Sequence, residues 1–130
     1  MANEIAVIEK NWLSIAGQAA DLPVPFEQEI FLEECHVAGT MHVDDILIKA
    51  KDVTIGTALV LKRDPQNEHD ALAILVETAA GEKLGYVPSK HNRILARLMD
   101  AGKQLIAKVV HKELEDHWLN MRIAIDMKEV

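Results

Sequence analysis

Three short strand-like runs, Ala58–Lys62, Ala71–Thr78 and Lys83–Val87, follow one another closely, separated by stretches built for turning. The second and third flank Ala79-Ala80-Gly81-Glu82, a glycine-containing connection of hairpin length. Between the first and second stand Arg63-Asp64-Pro65-Gln66-Asn67-Glu68-His69-Asp70. Asp-Pro and Asn are ordinary turn chemistry, and a solvated turn accounts for Asp64, Pro65 and Asn67. It does not account for Arg63, His69 and Asp70 at the strand edges, where side chains are held rigidly enough to recognise a ligand.

The same texture extends in both directions. Ile30–Ala38 reads as a strand that exits at Gly39-Thr40, and within Asp45–Asp52 the residues Ile46, Leu47 and Ala50 suit a short helix. Pro88-Ser89 opens a helix with Ile94, Leu95, Leu98 and Met99 on one side and Gly102 as its C-terminal cap. Leu105–Lys112 and Trp118–Met127 form two further strands joined by the charged turn Glu113–Asp116. Short strands with brief helices between them predict a mainly β fold, a strongly bent sheet or small barrel with peripheral helices. Its core should hold Ile30, Leu32, Val37, Leu59, Leu61, Ile74, Val76, Val87, Val109, Ile123 and Ile125.

Ahead of this domain, Ile5, Ile8, Trp12, Ile15 and Ala19 recur at helical spacing over residues 4–20, with Asn3 as a cap. Asp21-Leu22-Pro23-Val24-Pro25 ends that helix as a linker, dividing the chain into 1–25 and 26–130. The apolar stripe either packs on its own domain or forms a homodimer seam.

At 130 residues the chain is long enough for one domain with a real core. Its lone cysteine, Cys35, leaves no internal disulfide and no cysteine zinc cage, and reads as a small buried thiol. No secretory leader or membrane-spanning run stands out, so the expectation is a cytoplasmic protein without membrane contact. The net charge of −7 argues against a generic nucleic-acid coat. The charge is uneven, however: residues 1–61 carry −7, residues 62–112 carry +3 and residues 113–130 carry −3. From Tyr86 to Lys112 the bases Lys90, Arg93, Arg97, Lys103, Lys108 and Lys112 face only Asp100. A local basic face fits a small anionic footprint such as a strand end, although solvated helix and strand faces look the same.

Three blocks in order, Val37-Ala38-Gly39-Thr40-Met41-His42, then Leu61 through Ile74, then Gly81-Glu82-Lys83-Leu84-Gly85-Tyr86-Val87-Pro88, resemble a HIRAN domain over about residues 29–127. The resemblance implies an OB-like or SH3-like small β-barrel. It also implies a non-enzymatic module that captures the 3′ end of single-stranded DNA in repair or processing, beside a helicase-like motor or a nuclease on another polypeptide. Carried over by residue, His42 and His69 fall at positions of stacking aromatics, and Asp70 would accept a hydrogen bond from a terminal 3′-hydroxyl. Asn67 and its backbone could hold a phosphate. Arg63 either contacts phosphate or braces the loop by pairing with Asp64 or Asp70. Tyr86, Ser89, Lys90 and Arg93 occupy a strand-to-helix corner suited to phosphate. The chain departs from the pattern in three places. Imidazole offers less π surface than tyrosine at 42 and 69, Ser89 stands where a basic residue is common, and Met41 replaces a residue that is basic in some members.

Other chemistries leave weaker marks. His36, His42 and His69 could converge with Asp70 on a metal, yet no paired His or Cys spacing supports such a cage, and no cofactor or metal is expected. His69 could act as a base oriented by Asp70, but adjacent strand residues point to opposite faces unless the chain bends there. There is no phosphate-binding Gly-Lys-Ser/Thr loop and no nucleophile elbow. The competing reading is a protein-interaction or dimerisation module without nucleic-acid binding, and a small metal-dependent hydrolase is the third.

Overall fold

The computed structural model describes residues 28–115 and 118–129. The expected helix over 4–20, its cap, the proline linker and Asp116 lie outside the described residues.

The chain forms β1 (Gln28–His36), a 3-10 turn (Thr40–His42), α1 (Ile46–Lys49), β2 (Ala58–Arg63), β3 (Ile74–Glu77), β4 (Lys83–Tyr86), α2 (Ser89–Asp100), β5 (Gln104–Glu115) and β6 (Trp118–Glu129). All six strands join one antiparallel sheet in the order β1-β6-β5-β2-β3-β4. The sheet curls until its two ends meet. Just past β1, Val37 N–H donates to Met121 O of β6 at 2.8 Å, while Ala38 and Tyr86 exchange main-chain hydrogen bonds of 2.8 and 2.9 Å. Gly85 permits this closure. A methyl group there would overlap the Ala38 carbonyl oxygen and stand 2.7 Å from Val37 Cγ1, so only a residue without Cβ fits the close approach.

Alternation along the strands builds the core. Leu59 and Leu61 of β2, Leu105, Ala107 and Val109 of β5, and Leu119, Met121, Ile123 and Ile125 of β6 all point inward. Ile74, Val76, Leu84 and Val87 complete the barrel wall, and Leu95 and Ala96 of α2 close one end. Of the expected core, Leu32 is only partly buried, and Ile30 is 38% exposed. Ile30 stands opposite Met127, on the face that Ile125 and Ile123 share, but near the exposed start of an edge strand, and Leu32 is the extra residue of the bulge between Phe31 and Glu33.

Two boundaries and one helix face differ from expectation. β3 begins at Ile74 because Ala73 N–H donates to Asp70 O and Leu72 N–H to the Asp70 carboxylate, which hold the preceding residues in a turn. β5 continues through the supposed charged turn to Glu115, since Leu114 pairs with Leu119 and Glu115 with Trp118. In α2 the inward face carries Asn92, Leu95 and Ala96, and Ile94 is 71% exposed.

Two of the bases counted in the basic stretch and polar loop serve the fold. Lys112 Nζ donates to the carbonyls of Ala50 and Val53 at 2.6 and 2.7 Å, tying down the end of α1. Arg63 is described below. Among the described residues no helix is long and apolar enough to cross a membrane.

Candidate nucleic-acid interface

The polar loop between β2 and β3 is a chain of small turns locked by its own side chains. Asp64 O accepts from Asn67 N–H at 3.1 Å, closing a turn with Pro65 at the position its fixed φ suits. Asn67 then uses its whole amide. Oδ1 accepts from the main-chain N–H groups of His69 and Asp70 at 2.9 and 3.0 Å, and Nδ2 donates to Asp64 Oδ2 at 3.2 Å and Tyr86 Oη at 3.3 Å. Arg63 fastens the far side of the loop. Its guanidinium donates to the carbonyls of Ala73 at 2.6 Å and Ala71 at 2.9 Å, and pairs with Asp100 at the end of α2 at 2.9 Å. The loop is therefore braced by Arg63 as one of the two expectations held, but through carbonyls and Asp100 rather than Asp64 or Asp70.

Asp70 ties this loop to the helix. Oδ1 accepts from Leu72 N–H at 2.9 Å and Oδ2 from Asn92 Nδ2 at 2.8 Å. The Asn92 bond first and the Leu72 bond second hold its carboxyl below the usual carboxylate range, aided by the Arg63 charge against partial desolvation. His69 is not oriented by Asp70, whose two hydrogen bonds go elsewhere. Loop, barrel seam and helix together enclose an open pocket of about 240 Å³. Asn67, His69 and Asp70 line it from the loop, Tyr86 and Val87 from β4 and its end, Ser89 and Asn92 from α2, and Ala38 and Ala73 fill its floor. Tyr86 is held in place by Asn67 and by Lys83, whose Nζ lies 3.2 Å from the phenolic oxygen and 4.5 Å from the ring centre.

Five residues singled out in the sequence, Asn67, His69, Asp70, Tyr86 and Ser89, thus share one pocket. Met41 and His42 are exposed on the 3-10 turn beyond Ala38 and are not part of its lining. Lys90 and Arg93 are exposed at its helical rim. With Arg97 they fall at spacings of three and four, one stripe on the solvent side of α2. The N-terminus of α2 has Pro88 before it and no side-chain cap, so its first amides face this rim with their partial positive charge. The imidazole of neighbouring His36 is pushed below the usual range, first by partial burial and then by Lys90, Arg122 and His91. His91 itself faces the Glu33 carboxylate on β1. Among the described residues no three His, Cys, Asp or Glu side chains gather as a metal site would require.

Asn92, which lines the pocket, and Lys83, which holds Tyr86 from beside it, are the polar residues that sequence reasoning missed. Asn92 had left a signal: a polar side chain on the same helical face as Leu95 and Ala96, hence one that needs a partner when buried.

A curled antiparallel sheet with a helix-rimmed pocket defines a small binding domain. A family model for the HIRAN domain matches residues 30–129, and the chain belongs to that family. HIRAN domains are generally nucleic-acid-binding modules, and the domain is not a known catalytic one. A crystal structure of a protein from Lactobacillus plantarum is 29% identical and superposes with a TM-score of 0.74, covering 80% of this chain and 99% of that one. The crystal structure of the HIRAN domain of human HLTF is 21% identical with a TM-score of 0.61, covering 78% of this chain and 79% of that one, and the shared feature there is the fold. No curated protein matches the sequence.

Proposed function

We propose that the pocket holds the free 3′ end of a single nucleic-acid strand, single-stranded DNA among them, with any cutting or translocation done by a separate enzyme. The observation that carries this reading is the placement of Asp70, an acceptor-only carboxylate in a pocket whose rim bears Lys90, Arg93 and the α2 N-terminus. A carboxylate repels the phosphates such a rim attracts. Its presence makes sense if the group that reaches it is a hydroxyl found only where the strand ends. Two of the roughly four acceptor positions of an ionised carboxylate are filled by Leu72 and Asn92, which leaves room for that donor. Tyr86 and His69 offer ring faces to the terminal nucleoside, and the apolar floor of Ala38, Ala73 and Val87 suits its sugar.

Asp70→Asn separates end recognition from loop bracing. The new amide keeps an acceptor for Leu72, and a turned Asn92 amide presents its oxygen to the new NH2, so the loop stays satisfied. The preference for a 3′-hydroxyl over a 3′-phosphate end should fall about five- to tenfold as the hydrogen bond loses its charge, while the melting temperature at neutral pH moves little. An unchanged end preference in a variant that melts earlier would make Asp70 a loop brace only.

A further inference from the structure

Asn92 carries a hydrogen-bonding group that the pocket leaves unmatched. The residue is 3% exposed and lines the pocket from the first turn of α2. Its partner Asp70 accepts hydrogen bonds, so the Asn92 NH2 must face Asp70 Oδ2, at 2.8 Å, and Oδ1 must point away from it. Among the described residues no donor meets that Oδ1, whereas buried side-chain polar atoms nearly always have a partner.

The pocket therefore presents two acceptors side by side, the open positions of the Asp70 carboxylate and Asn92 Oδ1, separated by a single amide group. Two adjacent acceptors call for two adjacent donors. At a strand terminus the 2′,3′-cis-diol of a ribose supplies that pair, whereas a 2′-deoxyribose supplies one hydroxyl. An internal ribonucleotide has its 3′ oxygen esterified and would bring a phosphate against Asp70. We infer that the pocket reads a terminal ribose, Asp70 accepting from the 3′-hydroxyl and Asn92 Oδ1 from the 2′-hydroxyl, so that a strand ending in a ribonucleotide is the preferred ligand. This rests on the 3′-end reading above and names the sugar it selects.

The test uses the full chain and 5′-labelled oligonucleotides with identical DNA bodies, varied only at the last residue: 2′-deoxy, ribo or 2′-fluoro, each with a free 3′-hydroxyl, plus a 3′-phosphate control. Fluorescence anisotropy should show the ribo end binding about three- to tenfold tighter than the deoxy end, the effect of one buried hydrogen bond. The 2′-fluoro end, which shares a ribose-like pucker but cannot donate, should bind like the deoxy end. Asn92→Leu should remove the ribo advantage, and the ligand series decides the matter if that variant does not fold. Equal binding of ribo and deoxy ends, both favoured over the 3′-phosphate, would overturn this inference and leave 3′-end reading standing. A 2′-fluoro end as tight as the ribo end would overturn it too, by assigning the gain to sugar pucker. If no end outcompetes the 3′-phosphate control, the 3′-end reading falls and this inference with it.

Discussion

Asp70 is the residue on which stability and the proposed recognition meet. Its folded-state carboxyl titrates below the ordinary value of 3.8, chiefly because Asn92 and Leu72 donate to the ionised form. A depressed carboxyl stabilises the fold above its unfolded pKa and loses that contribution as pH falls through its folded pKa. The stability gap between wild type and Asp70→Asn, read by chemical denaturation, should thus be level from about pH 7 to pH 5 and move in the variant's favour below about pH 4. A gap that moves the other way on acidification would mean that the carboxylate is not held by these donors. Cys35 shows the opposite shift, its thiol pushed up to about 11 mainly by burial, and belongs to the core rather than to any site.

At the scale of elements, the closure of the sheet rests on the contact between β4 and the chain leaving β1. Gly85→Ala should destabilise the domain by about 1–3 kcal/mol or more in urea denaturation, since the atoms in its way include main chain that cannot move aside cheaply. A loss below about 0.5 kcal/mol would show that the seam opens without consequence for the core. The strands and α2 were legible in the sequence because alternation and turn chemistry are local signals, and Leu59, Ile74, Val109 and Ile123 lie where that alternation places them. Ile30 and Leu32 were not legible, because neither the edge position of their strand nor the bulge at Leu32 leaves a mark in composition. The site was half legible. Asn67, Asp70 and Tyr86 stand out as polar residues at strand edges, but pairings such as Arg63 with Asp100 and Asn92 with Asp70 span 37 and 22 residues, and no local pattern reports them. The same holds for Lys112, which looked like part of a basic surface and is spent on two carbonyls.

For the whole molecule, an acidic chain of net charge −7 can still grip a strand end, as proposed, if two of its bases stand together on one helix beside the pocket. Arg63 is engaged within the fold, so of the bases expected at the pocket Lys90 and Arg93, both exposed at the start of α2, are the ones placed to hold about two phosphates. The logarithm of the binding constant should then fall against the logarithm of salt concentration with a slope of about −1.4 for a single strand. A slope near zero would move the ligand away from the α2 rim. The most direct test of the account is an anisotropy titration of the full chain with two oligonucleotides of one sequence, one ending in a 3′-hydroxyl and one in a 3′-phosphate. The account predicts that the hydroxyl end binds at least tenfold more tightly, by roughly 1.4 kcal/mol or more, because the phosphate both lacks the donor and brings charge against Asp70. Equal affinity for the two ends, or preference for the phosphate, would contradict it.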